Sequence, residues 1–262
     1  MTVIQEVSPA PVIGAPSYLP VHLDAGRADV SKLQKLLREG ARAFNEQFDE
    51  DTHLNAIIPK PWGYEYRAFV DDFFDLWALH IQAGGSTSLH VHPRKLTYLL
   101  CLGGEGVTTG LDRADVPIRE GSVLRIAPGA FHGTRSTGNE PLELIEVEVP
   151  RNKFDLIRLQ DDYNRAGTAY ESAAVEEPGH SMRNVPAYPN TRMRPRTPDG
   201  RFRFELRTGM DIFYRPSLRD VFCIPLHISG VVHRDLEILT GHHADSRRPQ
   251  TDKHYLCISK NR

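Results

Sequence analysis

The sequence predicts an all-β protein built round a small metal-binding barrel, with an N-terminal helix before it and a C-terminal extension after it. Three observations carry that expectation. Between residues 57 and 150 the chain breaks into short apolar runs separated by turn residues, the spacing of an antiparallel barrel. His90 and His92 stand two apart inside one of these runs. A third histidine, His132, ends a stretch that opens at Gly121 and turns through Pro128 and Gly129.

Each element follows in order. Residues 1–28 are rich in Pro, Val and Ala and show no period, as an extended arm over the surface or between subunits would. From 29 to about 48, Val30, Leu33, Leu36, Leu37, Ala41, Phe44 and Phe48 recur at three- and four-residue steps, which predicts one amphipathic helix packed on the barrel, with Ser31 and Gln34 as its capping box. Barrel strands are expected at 64–70, 74–82, 88–92, 97–102, 106–111, 122–126 and 142–149. In the last, Ile145, Val147 and Val149 alternate with Glu146 and Glu148, the pattern of a strand with one dry face. After Pro150, residues 152–170 read as a short helix or covering loop and 171–198 as a linker. Strand-like runs return at 202–206, 221–227, 236–239 and 254–258, either as a degenerate second barrel or as strands added to the first. The expected units are 1–56, 57–150 and 151–262.

The histidine spacing has a physical reason. Side chains alternate between the faces of a strand, so His90 and His92 point the same way with Cα atoms about 6.5–7 Å apart. The Pro-Gly turn brings His132 to them from a neighbouring strand. With Gly84 ahead of the pair and Gly104 behind it, these segments resemble the two signature motifs of the cupin superfamily, whose fold is an antiparallel jelly roll. Two departures stand out. Leu96 and Thr97 occupy the positions where the first motif usually has a glutamate, and Ala127 stands where the second usually has a proline.

The resemblance implies a divalent metal on His90, His92 and His132, Fe(II) first, with Zn(II) or Mn(II) as alternatives. Without the usual carboxylate the site resembles the three-histidine iron cupins, which use dioxygen to oxidise or cleave small polar metabolites. Tyr98 and His80 are then the candidates for proton transfer, with Gln82 and Lys95 for substrate contact. A second resemblance points elsewhere. Residues 59–65, Pro-Lys-Pro-Trp-Gly-Tyr-Glu, are similar to the entry strand of cupin-type phosphomannose isomerases and related sugar-phosphate cupins. It implies an isomerase or epimerase, with Lys95 or Arg192, Arg194 and Arg196 of the arginine-rich 192–207 segment holding a phosphate. A non-catalytic small-ligand binder is the third reading.

Composition excludes other classes. With 262 residues and a net charge of −2, the chain has no general attraction for nucleic acid or anionic membrane. It has no long apolar run, and its first residues lack a basic, apolar leader pattern, so a cytoplasmic protein is expected. The expected partners are a small-molecule substrate and a second copy in a homodimer. Cys101, Cys223 and Cys257 are widely spaced and indicate neither a disulfide framework nor a zinc ribbon, and Cys101 in its apolar run reads as a buried small hydrophobe.

Overall fold

The computed structural model describes residues 20–42, 54–160, 162–163, 175–176, 181–226, 236–240 and 248–261. In chain order the elements are β1 (Val21–Leu23), α1 (Arg27–Arg38), β2 (Ala56–Lys60), β3 (Gly63–Val70), β4 (Asp75–Ile81), β5 (Leu89–Val91), β6 (Leu96–Gly103), β7 (Glu105–Thr109), β8 (Val116–Arg119), β9 (Val123–Ile126), β10 (Gly133–Ser136), β11 (Leu142–Val149) and β12 (Ile157–Gln160). The short strands β13 (Val175–Glu176), β14 (Arg183–Asn184) and β15 (Arg192–Met193) follow, then β16 (Phe202–Thr208), α2 (Gly209–Tyr214), β17 (Asp220–Leu226), β18 (Leu239–Thr240) and β19 (His254–Lys260).

The jelly roll is a sandwich. One large sheet runs β1-β9-β6-β11-β4-β3-β15-β14, with β2 on β3 and β13 on β2. The facing layer is made of β10-β7-β8 and β12-β5, joined through the backbone bridges Ser86↔Arg135 and His90↔His132. Hydrogen bonding does not close these sheets into a barrel among the described residues.

The central strand β11 shows why the sequence folds this way. It lies between β4 and β6, with Leu144 opposite Leu79 and Cys101. Leu142 and Leu144 face the inside of the sandwich with Trp77, Leu79, Ile81 and Ile118. Ile145 and Val147 face outward, yet they are fully buried, because Phe204, Phe222, Ile224, Leu256 and Ile258 cover them. Those residues belong to a four-stranded sheet, β16-β19-β17-β18, laid on the outer face of the large one. Among the described residues the C-terminal strands are thus an added layer. Burying each such side chain contributes about 1.5–3 kcal/mol, which is what holds the layer in place.

Other expectations change. The helix α1 ends at Arg38, and residues 43–48 of the expected helix lie outside those described. Its N-terminus is set by Gly26 and Asp29 rather than by Ser31 and Gln34, because the Asp29 carboxylate accepts from Gly26 N at 2.8 Å. Asp29 is wholly buried and also accepts from Phe131 N at 2.9 Å and from the Arg113 guanidinium, tying the helix to the segment that carries His132. Residues 157–160 form strand β12 on β5 instead of a helix or covering loop.

Candidate metal centre

His90 and His132 sit directly opposite each other, each backbone N–H donating to the other's carbonyl, at 2.9 and 2.8 Å. With His92, the three rings lie 4.3–5.3 Å apart, centroid to centroid. Each ring is oriented by a backbone carbonyl that takes its Nδ1–H: Ser88 O for His90 at 2.7 Å, Asp155 O for His92 at 2.6 Å, and Ala130 O for His132 at 3.1 Å. These bonds assign the proton to Nδ1 and leave the Nε2 lone pairs converging on one point. The Nε2 atoms of His92 and His132 are buried with no hydrogen-bond partner, which costs free energy unless an ion takes them.

The missing carboxylate comes from another strand. Glu146 on β11 brings a carboxylate oxygen to 3.7 Å from His92 Nε2, and its donor atom and those of the three histidines all lie within 4.8 Å of one another. Three nitrogens and one oxygen at that separation fit a first-row divalent ion about 2.1 Å from each after small side-chain shifts. Glu146 thus joins the three expected histidines as a further candidate ligand. Thr97, in the usual glutamate position, is buried opposite Glu148.

Electrostatics prepare the ligands. Burial, then the neighbouring His132 and His92, holds His90 well below the ordinary imidazole value, and burial pushes His132 down to about 3. Both rings are neutral at pH 7. Burial works against a charged Glu146, but Lys153, 2.9 Å away, and His92 overcome it and hold the carboxyl well below its usual range. Burial likewise opposes the Lys153 charge, yet Glu146, Glu65 and Glu148 keep it protonated. Lys153 lies 3.4 Å from Glu148 and 3.7 Å from Glu65, and Lys60 reaches Glu65 at 3.4 Å.

A cleft partly open to solvent meets this centre. Its walls include His90, His92, Glu146, Glu65, Lys60, Lys153 and Arg158, with Trp62, Leu79 and Leu156 as apolar surface. Trp62 is placed by a tight turn at Gly63, whose φ of +144° and contact with the His80 carbonyl leave no space for a side chain, since a Cβ would sit 1.9 Å from that oxygen.

The other residues singled out from sequence are elsewhere. Tyr98 is on the outer face of β6, where its hydroxyl accepts from Leu236 N at 3.0 Å. His80 is stacked on Tyr64 and bonded to Glu143 at 2.8 Å. Gln82 is exposed at the end of β4. Lys95 is buried 2.8 Å from Glu148 and does not line the cleft. Arg194 is fully buried and donates to the carbonyls of Arg67 and Ala56, Arg192 lies on the short strand β15 between β3 and β14, and the backbone at Arg196 bridges to Arg203. None of these three lines the cleft. Sequence reasoning missed Glu146, Glu65, Lys60, Lys153 and Arg158. For Glu146 the signal was present in its alternation with apolar neighbours.

Residues 77–148 match the family described as Cupin domain. The chain is 28% identical over 113 residues to a mannose-1-phosphate guanylyltransferase of Sinorhizobium fredii, covering 42% of this chain and 22% of that protein. It is 24% identical over 137 residues to the alginate biosynthesis protein AlgA of Pseudomonas putida, covering 52% of this chain and 28% of the other. The chain thus spans about a quarter of the length of these curated relatives. Among solved structures, it is similar to an uncharacterized conserved protein with a double-stranded beta-helix domain from Klebsiella pneumoniae, at 19% identity and a TM-score of 0.35, covering 45% of this chain and 100% of that one.

Proposed function

This chain is a member of the cupin superfamily through its domain at 77–148, and on that footing we propose that it is a metal-dependent isomerase or epimerase of a small hydroxylated metabolite of the sugar class. The observation that carries the proposal is Glu146. The case for dioxygen chemistry rested on an absent carboxylate, and Glu146 supplies one from β11. A three-nitrogen, one-carboxylate site leaves about two positions for adjacent oxygens of a hydroxy-carbonyl compound. The curated relatives, a mannose-1-phosphate guanylyltransferase and an alginate biosynthesis protein, support the sugar class.

When bound, the metal polarises a carbonyl and so acidifies the adjoining C–H. The remaining work falls to the chain. Glu65 lines the cleft, is not among the ligands, and is linked to Glu146 through Lys153, so it is the carboxylate placed to take a proton from carbon. Returning that proton to the neighbouring carbon, while the hydroxyl proton passes to the former carbonyl oxygen, completes the isomerisation with no net redox change. Lys153, kept protonated, fixes both carboxylates. Trp62, Leu79 and Leu156 exclude water from that side.

The test is incubation of metal-replete protein with aldoses, ketoses and their phosphates in heavy water, followed by NMR and an oxygen electrode. Isomer formation with deuterium at the transferred position, and no oxygen uptake, is the expected result. Oxygen consumption matched to substrate loss would overturn the proposal. Glu65→Gln should lower turnover by about 10²–10⁴-fold with metal content unchanged.

A further inference from the structure

A second cluster of metal-ligating side chains lies in the C-terminal sheet. Cys223 on β17 and Cys257 on β19 are direct cross-strand partners, which puts their Cβ atoms about 4.5–5.5 Å apart on one face. Asp220 stands three positions before Cys223, a spacing that in a regular strand sends two side chains to opposite faces. Here the register breaks between Asp220 and Phe222, so that Asp220 pairs with Ser259, two residues from Cys257 and on the same face. The bulge re-aims a carboxylate onto the two thiols. Cys223, Cys257 and Asp220 are 1%, 0% and 3% exposed, and one donor atom from each lies within 4.8 Å of the others. The opposite face of these strands carries Phe222, Ile224, Leu256 and Ile258, which hold the layer on the large sheet, whereas the thiols pack with Ile212, Leu239 and Tyr255.

We infer that Asp220, Cys223 and Cys257 form a second metal site, for a thiophilic divalent ion of the zinc type, which cross-links β17 and β19. Two thiolates select such an ion over magnesium or calcium. A tetrahedral zinc with Zn–S of about 2.3 Å and Zn–O of about 2.0–2.2 Å places its donors about 3.3–3.8 Å apart, inside the observed spread. The Asp220 carboxylate is already oriented at both oxygens, Oδ1 by the Ser259 hydroxyl at 2.6 Å and Oδ2 by the Arg207 guanidinium at 2.8 Å, and each oxygen keeps a second lone pair. Two thiolates and this carboxylate carry three negative charges, which Arg207 and one divalent ion balance. Glu205 is the partner of Cys257 on β16, half-exposed on the same face and paired with Arg203 at 3.3 Å; its carboxylate or a water fills the fourth position. Loading exchanges two thiol protons for the ion, and both protons pass to solvent. The site shares no residue with the centre at His90, His92 and His132 and stands whether or not the cleft is an isomerase site.

The experiment is anaerobic titration of the reduced, metal-stripped, full-length chain with cobalt(II), read by thiolate-to-cobalt charge-transfer absorption and by metal analysis. Wild type should develop this absorption, saturating at one sulfur-bound cobalt per chain, and zinc(II) should bleach it. Cys223→Ser and Cys257→Ser should each weaken the sulfur-bound site about hundredfold or more, and Asp220→Asn at least tenfold, whereas His132→Ala and Cys101→Ser leave the absorption unchanged. No charge-transfer absorption from wild type at millimolar cobalt(II), or an absorption that survives both cysteine variants, overturns the inference. A chain that forms a Cys223–Cys257 disulfide in air but binds no cobalt through sulfur when reduced overturns it as well. Should the serine variants fail to fold, wild type and Cys101→Ser decide, because an absorption absent from the first or lost in the second refutes the site.

Discussion

Glu146→Gln removes a negative charge at the centre of the site while keeping the side-chain shape, and its effect can be worked from the distances. In the metal-free protein Lys153 loses its 2.9 Å partner but keeps Glu148 at 3.4 Å and Glu65 at 3.7 Å. Breaking a buried pair costs about 3–5 kcal/mol when the remaining charge is abandoned, so about 2–3 kcal/mol is expected here. On the metal side, losing one of four ligands should weaken binding about hundredfold, or about 2.7 kcal/mol. At a metal concentration of about a thousand times the wild-type Kd, binding adds about 4.1 kcal/mol to wild-type stability and only about 1.4 to the variant. Chelator competition and denaturant unfolding with and without metal read both quantities. If the variant keeps the wild-type metal increment, Glu146 is not a ligand, and the three-histidine site and its dioxygen chemistry return. Adding Thr97→Glu to the variant should recover part of the affinity, because position 97 lies across β6–β11 from Glu148 and is where the first cupin motif usually carries its glutamate.

Three further outcomes are expected. Protons compete with a metal only where the free ligand is protonated, and His90 and His132 are held below their ordinary range. Metal affinity should therefore fall by at most about one decade between pH 6.5 and 5.5, and a fall of about two decades in chelator titrations would show three ordinary imidazoles. Asp29→Ala should destabilise the fold by about 3 kcal/mol, since it strips the buried Phe131 N–H and Arg113 of their acceptor, while Asp29→Asn costs less; thermal unfolding that moves by less than 1 kcal/mol for both would remove the helix from the site's support. The Cys101 thiol is pushed up to about 12, chiefly by burial, so it stays protonated and should resist iodoacetamide at pH 8 in the folded protein; rapid native labelling would contradict its place in the core.

The histidines were legible because their geometry is local: period two fixes His90 and His92 on one face, and the Pro128–Gly129 turn accounts for His132. Glu146 was not, because its position depends on β11 pairing between β4 and β6, which no local pattern specifies. Its alternation with Ile145 and Val147 says that the carboxylates share a face, but not that the C-terminal sheet makes the opposite face dry and turns them inward. Tyr98 and His80 looked close because they are near the ligands in sequence. Strand alternation sends both to the outer face. The arginine-rich segment read as one patch because it is compact in sequence, whereas its members separate, Arg194 into the core and Arg207 onto Asp220 at 2.8 Å.

The account stands most directly on what converges at one point between β5, β11 and the turn before β10. Crystals of the protein loaded with a single divalent metal, measured at that metal's absorption edge, test it. An anomalous peak in each chain, within about 2.2 Å of His90 Nε2, His92 Nε2, His132 Nε2 and a Glu146 carboxylate oxygen, is the expected result. A peak bound by the histidines with Glu146 still turned to Lys153, or no peak at this centre, would contradict it.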